Sequence, residues 1–153
     1  MPDKTPATYF DVFNEIGIIE QLSRTLLEAR LPDGLIGPHF SVLNHLVRLG
    51  DGRAPIDIAR AFQVPKTSMT HTIKGLEAQG MVEVRPNPED GRSKLVWITH
   101  KGRATRNQAI ADLAPDFDRL AAGFDVQRLQ EVLPVLRDLR MFLDADRNSS
   151  PPA

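Results

Sequence analysis

Five polar side chains fall on one face of a predicted helix over residues 67–79. They are short hydroxyls and two longer nitrogen donors: Thr67, Ser68, Thr70, His71 and Lys74. Positions 67, 70, 71 and 74 follow helical i, i+3, i+4, i+7 spacing, so they share one side of the helix. Hydroxyls can bond base edges or phosphates, a lysine can neutralise a phosphate, and a histidine can contact either. The pattern favours a surface for the major groove of DNA, and the alternative is a polar face in contact with solvent only.

A second group of charges surrounds a predicted β-hairpin, with strands at residues 82–85 and 94–98. The segment 86–91 between the strands contains two prolines and a glycine, which predicts a long loop. The cations that flank this loop are Arg85, Arg92 and Lys94. An arginine at a hairpin tip can enter the narrow minor groove, where the negative potential is greatest. We expect Asp90 to hold the Arg92 guanidinium in a forked ion pair, and the alternative is a surface pair worth little.

The distribution of charge along the chain supports DNA binding better than the net charge does. The whole chain carries a formal net charge of −1, but residues 39–106 carry a net +5 and the remainder −6. A basic middle between acidic ends suits a protein that meets phosphates with its centre and protein with its flanks. Chance clustering on a solvated surface is the alternative.

Prolines, glycines and the spacing of apolar residues predict the helices that position these polar and charged side chains. Pro38 suits the first turn of a second helix that Gly50 ends, and Pro55 opens a short third helix through Phe62. The third and fourth helices, joined by a short turn, are typical of a helix-turn-helix. The fold class is therefore mainly α with a small β-hairpin, and residues 38–99 form the predicted winged-helix lobe.

The two ends of the chain carry more apolar surface than this lobe can cover. We expect residues 8–36 and 100–147 to form dimerisation helices, with Thr8 as the first N-cap and Pro115 dividing the later helix. The predicted interface residues are Tyr9, Val12, Ile19, Phe117, Leu129, Val132, Leu136, Leu139 and Leu143. We expect residues 1–7 and 148–153 to be disordered tails of this single domain of residues 1–153, and a monomeric helical domain is the alternative.

The run FQVPKTSMTHTIKGLEAQGMVEVRPNPEDGRSKLVWITHKG, at residues 62–102, resembles the winged helix of the MarR family of bacterial transcription regulators. The shared features are a recognition helix with paired hydroxyls, a Leu-Glu-x-x-Gly-hydrophobic-Val segment at the end of that helix, an Asp-x-Arg wing, and a Thr-x-x-Gly start of the next helix. The motif residues are Leu76, Glu77, Gly80, Val82, Asp90, Arg92, Ile98, Thr99 and Gly102. The Asp-x-Arg wing joined to the Thr-x-x-Gly entry is the more specific part.

The resemblance implies a triangular homodimer whose recognition helices enter successive major grooves of a pseudo-palindromic operator. It also implies Arg92 in the minor groove, steadied by Asp90. The chain departs from the family pattern at three positions, since His71, Gly91 and Val84 stand where basic residues are common. These departures suggest a weaker electrostatic contribution and a smaller salt dependence of binding.

Many relatives respond to small aromatic ligands held between the DNA-binding lobe and the dimer helices. The candidates for such a site are Phe13, Ile16, His39 and Trp97, and the alternative is that these side chains only pack in the core. The resemblance therefore implies a repressor that a small aromatic effector releases. A ligand-independent regulator and a protein-interaction module on the same fold remain alternatives.

Composition restricts the other classes. The chain has no cysteine, which excludes disulfides and thiol-based redox sensing, and its four histidines are scattered, so we expect no metal site and no cofactor. No nucleophile or phosphate-binding loop is evident, so we expect no enzyme. The sequence contains neither an apolar stretch that could span a membrane nor a signal core, which predicts a cytoplasmic protein.

Overall fold

Residues 4–149 are described by a computed structural model of the chain. The chain divides after Ala114 into two compact units. The first unit contains five helices and a hairpin: α1 (Thr5–Glu28), α2 (Gly37–Leu49), α3 (Pro55–Phe62), α4 (Lys66–Ala78), β1 (Val82–Asn87), β2 (Asp90–Ile98) and α5 (His100–Asp112). The second contains α6 (Ala114–Gly123), which begins at the boundary, and α7 (Val126–Ser149). The prediction of a mainly helical fold with a small hairpin is confirmed.

The first helix begins earlier than the sequence predicted. Lys4 is the N-cap of α1 and a proline lies in its first turn, where the missing N–H costs nothing. Thr8 is inside the helix, and its hydroxyl donates to the Lys4 carbonyl oxygen at 3.0 Å. The predicted Thr8 cap is therefore wrong, and residues 5–7 are helical rather than part of a disordered tail. Residues 1–3 of that predicted tail lie outside the described residues.

The core of the first unit lies between α2, α3, α4 and the hairpin. Its fully buried side chains include Leu43 and Leu46 of α2, Ile58 of α3 and Leu76 of α4. Pro38 lies in the first turn of α2 and Gly50 is its C-cap, as predicted. The turn after α3 is unusual because its C-cap, Gln63, is left-handed (φ 54°) without being glycine.

The hairpin is longer and its tip is shorter than predicted. β1 and β2 pair antiparallel from Val82 opposite Ile98 to Pro86 opposite Lys94, and the register then shifts between Pro86 and Asn87. The predicted long loop is wrong, because only residues 88 and 89 separate the strands and the irregularity lies within β2. Pro86 is tolerated because each strand of a two-stranded ribbon has an unpaired edge, where an N–H is not needed.

Pro115 divides the C-terminal part as predicted. α5 ends at Asp112 and α6 begins at Ala114, on either side of the break that Pro115 causes. Asp125 caps α7, because its carboxylate accepts the Gln127 N–H at 2.9 Å. α7 continues through Ser149, so residues 148–149 are helical and not a disordered tail, while residues 150–153 lie outside the described part. None of the helices in residues 4–149 has the length and apolar character that crossing a membrane requires.

Candidate nucleic-acid interface

The core holds α4 so that its polar side chains face outward. Met69, Ile73 and Leu76 are buried and lie on the inner side of the helix. Ile58 and Ala59 of α3 are buried against the same core. The helix-turn-helix predicted from periodicity is therefore present, with α4 as its second helix.

The opposite side of α4 carries the five predicted side chains, which we call the α4 polar face: Thr67, Ser68, Thr70, His71 and Lys74. Four of them are exposed, and Thr70 is half-buried. Within residues 4–149, none of these five side chains forms a hydrogen bond or an ion pair. Their donors and acceptors are thus available to a ligand outside the chain.

A groove separates α4 from the hairpin, and we call it the wing groove. It has a volume of about 520 Å³ and is lined by Ala54, Pro55, Ile56, Lys66, Thr70, Ile73, Lys74, Glu77, Val84, Arg92, Ser93 and Lys94. Four cations and one carboxylate lie among these residues, so the groove has a net positive charge. The sequence analysis missed Lys66, although its place directly before Thr67 in the first turn of the helix was the available signal.

The hairpin tip is held by local hydrogen bonds. The Asp90 carboxylate accepts the backbone N–H of Arg92 at 3.0 Å, and the Asn87 amide donates to the Ser93 hydroxyl at 3.0 Å. The predicted forked ion pair between Asp90 and Arg92 is absent from the described residues. The carboxylate shapes the turn instead, and the Arg92 guanidinium has no ion-pair partner within residues 4–149.

Arg85 lies on the other face of the hairpin. Successive residues of a strand alternate between faces, so Arg85 is opposite in direction to Val84, which lines the wing groove. Its guanidinium pairs with Glu83 at 2.7 Å and lies 4.8 Å from the centre of the Trp97 ring. The structure therefore separates Arg85 from Arg92 and Lys94, with which the sequence analysis had grouped it.

A single threonine joins the hairpin, α4 and α5. The Thr99 hydroxyl donates to the Gly80 carbonyl oxygen at 2.7 Å and accepts the Gly102 N–H at 3.0 Å. A Cβ at position 102 would lie 2.1 Å from the Met81 carbonyl oxygen, so only glycine fits there. These contacts explain the Thr-x-x-Gly motif physically, and they fix the base of the wing beside the end of α4.

The other edge of the hairpin base is also anchored. The Asp51 carboxylate accepts the Ile98 N–H at 2.7 Å, and Arg53 forms an isolated bridge with Val96. Both residues belong to the segment between α2 and α3. The base of the hairpin, which borders the wing groove, is therefore hydrogen-bonded to the rest of the first unit on two sides.

Two of the four predicted ligand-binding residues, His39 and Trp97, lie apart from each other. His39 lies at the start of α2 against Gly75, whereas Trp97 packs on Gly52, beyond the end of that helix. Ten residue steps of helix from His39 to Leu49 correspond to about 15 Å. Phe13 and Ile16 lie in α1 with exposed side chains, 45% and 39% accessible.

The histidines of the first unit have perturbed proton affinities at two positions. Burial, followed by the nearby His71, lowers the pKa of His39 from its ordinary value of 6.5. Burial also lowers the pKa of His45, and Arg53 and Arg48 add to the effect. His45 is 8% exposed, and its ring lies 5.2 Å from that of Phe62.

The predicted dimer residues are mostly exposed in the single chain. Among them, Tyr9, Val12 and Ile19 of α1, Phe117 of α6, and Leu129, Val132, Leu136 and Leu143 of α7 are exposed, whereas Leu139 is half-buried. The same helices expose further large apolar side chains that the sequence analysis did not single out, including Phe10, Leu22, Val135 and Phe142. This much apolar surface is more than a soluble monomer ordinarily exposes.

Comparison with known proteins gives consistent matches. The family model of the MarR family matches residues 33–93, which contain α2, α3, α4 and the hairpin tip. The chain is similar to the transcriptional regulator BldR from Sulfolobus solfataricus, with 25% identity over 86% of this chain and 95% of that chain and a TM-score of 0.68. It is also similar to apo MarR from E. coli, with 23% identity over 82% and 94% of the two chains and a TM-score of 0.70.

A third similar structure contains a ligand. It is CouR from Rhodococcus jostii RHA1 bound to p-coumaroyl-CoA, with 21% identity over 94% of this chain and 96% of that chain and a TM-score of 0.66. The family match falls on the part of the chain that contains the α4 polar face and most of the wing groove. The sequence motifs, the geometry and these matches agree: residues 33–93 match the MarR family, and the chain has the winged-helix fold of the similar transcriptional regulators.

Proposed function

We propose that this protein is a homodimeric repressor that binds a pseudo-palindromic DNA operator. The α4 polar face would enter the major groove, and Arg92 would reach the adjacent minor groove. The observation that carries the proposal is the convergence of Lys66, Lys74, Arg92 and Lys94 on one groove beside the α4 polar face. Duplex DNA supplies phosphates on both sides of the major groove, so it matches this arrangement of charge.

The division of roles between these residues follows from their chemistry. The hydroxyls of Thr67, Ser68 and Thr70 and the ring of His71 are short enough to read base edges only if α4 lies deep in the groove. The lysines are suited to phosphates, which would set the register of the helix without reading sequence. Arg85 is left out of the proposed interface, because Glu83 already neutralises it on the opposite face of the hairpin.

The homodimer is supported by the exposed apolar side chains of α1, α6 and α7. Burial of such surface favours association by roughly 25 cal/mol per Å². Two copies would place their α4 helices in grooves about 34 Å apart, one turn of the duplex, which predicts a pseudo-palindromic site. Occupancy of such a site beside a promoter would block transcription.

We extend the proposal to release by a small aromatic molecule. Its support is the complex of the similar protein CouR with p-coumaroyl-CoA, together with the exposed side chains of Phe13 and Ile16. His39 and Trp97 lie apart from each other, so this part of the proposal rests on the α1 residues. A regulator without an effector, or a protein-interaction module, would be revealed by the experiments below.

The test of DNA binding begins with footprinting of the DNA that flanks the gene of the protein, repeated with candidate aromatic acids. Protection of a pseudo-palindromic site, relieved by an acid, is the expected result. Protection that no acid relieves would support a regulator without an effector. Absence of salt-dependent binding to any fragment would contradict the proposal and favour the protein-interaction module.

A matched pair of arginine variants then tests the interface. We expect Arg92→Gln to reduce the slope of log Kobs against log salt by about 1, as loss of one phosphate contact does. Arg85→Gln removes the same charge from the opposite face of the hairpin, so its slope should equal that of the wild type. If Arg85→Gln weakens binding as much as Arg92→Gln, the assignment of faces is wrong.

A further inference from the structure

His39 fills the space between the start of α2 and the middle of α4. Its Nδ1 accepts the backbone N–H of Ile36 at 2.9 Å. Its Nε2 lies 2.8 Å from the position that a Cβ on Gly75 would occupy, so the ring rests directly on the α4 backbone. His71, one helical turn before Gly75 and on the α4 polar face, is close enough to affect the protonation of His39.

The bond to Ile36 has a specific role, because it caps α2. Ile36 occupies the N-cap position but has no side-chain acceptor of its own. Two side chains satisfy the backbone N–H groups at this end: His39 bonds Ile36, and Glu28 of α1 accepts the Gly37 N–H at 2.8 Å. His39 thus supplies the part of a capping box in which the third helical residue bonds back to the N-cap.

Only the neutral form of His39 can make this bond. An imidazole nitrogen that accepts a hydrogen bond carries no proton, so the proton of the neutral ring is on Nε2. Protonation turns Nδ1 into a donor that faces the Ile36 N–H, and the cap is lost. It also places a positive charge beside His71, while Arg24 and Glu28 of α1 lie against Gly37, two residues before His39.

On the basis of the proposed DNA-binding function, we propose that neutral His39 is a positioning residue that seats α4 for DNA, and that its protonation weakens binding. Burial and His71 lower the pKa of this side chain, so the neutral form prevails at neutral pH. Its folded-state pKa is below 6.5, and the cap is therefore lost only as the pH falls below that value. The ring of His39 contacts both α4 and the start of α2, so a change at the cap of α2 affects the position of α4.

The experiment compares pH profiles of DNA affinity. The wild type, His39→Gln and His71→Gln are titrated by fluorescence anisotropy with the footprinted duplex, from about pH 7.5 to 5.5 at constant ionic strength. Glutamine can accept the Ile36 N–H through Oε1 but does not titrate, so His39→Gln keeps the cap at every pH. His71→Gln removes the direct effect of a histidine charge at the proposed interface.

We expect the Kd of the wild type to rise about fivefold more than that of His39→Gln over this range, as loss of one helix cap predicts. The same loss should persist in His71→Gln. Identical profiles for the wild type and His39→Gln would overturn the inference while leaving the proposed function intact. Failure of all three proteins to bind the duplex at any pH would overturn the proposed function instead.

A measurement without DNA keeps the inference testable even if a variant folds poorly. In NMR spectra of the full chain, the His39 ring resonances and the Ile36 amide should titrate together below pH 6.5. Gly75 should shift in the same step, since the ring rests on its backbone. An Ile36 amide that does not respond to the ionisation of His39 would overturn the role of the cap.

Discussion

The carboxylate of Asp90 accepts the backbone N–H of Arg92 at 3.0 Å and does not pair with its guanidinium. The two residues are thus linked through the turn that presents the arginine. This relationship distinguishes two ways in which an acidic residue can support a DNA-contacting arginine. One orients the charged group directly, and the other fixes the backbone from which it extends.

The first prediction uses that distinction. Asp90→Asn keeps an oxygen that can accept the Arg92 N–H, so we expect DNA affinity within about twofold of the wild type. If Asp90 instead held the guanidinium in an ion pair, the same substitution would remove that pair and weaken DNA binding more. Arg92→Ala should weaken binding by about 1–3 kcal/mol while leaving the dimer intact. Binding is measured by anisotropy and the oligomeric state by sedimentation. Tight binding by Arg92→Ala would show that the wing does not contact DNA.

The second prediction concerns the proposed dimer interface on α7. Leu136 is exposed in the single chain, so a carboxylate there costs the monomer little but would be buried in a dimer. We expect Leu136→Asp to shift sedimentation from dimer to monomer. Gln127→Asp adds the same charge nine residues earlier, on the opposite side of α7, and should remain a dimer. An unchanged dimer for Leu136→Asp would remove α7 from the interface.

The third prediction concerns the left-handed residue in the turn of the helix-turn-helix. Gln63 has φ 54°, a conformation that costs a residue with a Cβ about 1 kcal/mol or more. Glycine has no such cost but gives the unfolded chain more freedom, so Gln63→Gly should be more stable than Gln63→Ala by about 0.5 kcal/mol.

The control for this prediction is Gln63→Ala. It retains the strain and loses the bond of 2.7 Å from the Gln63 amide to the Arg60 carbonyl, so it should be destabilised. Urea unfolding measures both variants. Equal stabilities for the two would mean that the left-handed conformation at position 63 costs a residue with a Cβ nothing, since both variants lose the side-chain bond.

The fourth prediction is a loss of stability in mild acid. The pKa of His45 is lowered by burial and by Arg53 and Arg48, and that of His39 by burial and His71. The folded state therefore binds fewer protons than the unfolded state just below pH 6.5, and the free energy of unfolding falls as the pH falls from there.

Thermal melts between about pH 8 and 5 check the sign of this effect. His45→Phe removes one titrating group while retaining a ring against Phe62. It should therefore flatten the profile, and His39→Gln should flatten it further. A wild-type melting temperature that rises as the pH falls through this range would contradict the prediction.

Local chemistry was sufficient to predict most of the helical framework. Helix α3 begins at Pro55 and ends at Phe62 as the sequence indicated, and the break at Pro115 was recognised from residue type alone. These features depend on neighbours within a few residues, so periodicity and capping rules suffice. The buried face of α4 followed in the same way.

The sequence predictions were wrong or incomplete where a side chain's position depends on residues that are distant in the sequence. The face on which Arg85 lies is set by the register of β1 against β2, and a shift of one residue would reverse it. The long loop predicted at residues 86–91 was wrong for the same reason, since pairing with β2 overrode the local preference of Pro86. His39 meets Gly75 across the core, which no local pattern could reveal.

The Thr99 hydroxyl makes two hydrogen bonds, one to Gly80 at the end of α4 and one to Gly102 at the start of α5. This pair of bonds has a mechanical consequence. Because Gly102 admits no side chain against Met81, the two helix ends cannot slide past each other without breaking this contact. A tilt of α5 would therefore be transmitted to the end of α4 through the Thr99 hydroxyl. Thr99→Val would remove the hydroxyl and both of its hydrogen bonds, and would thereby uncouple the end of α4 from the start of α5.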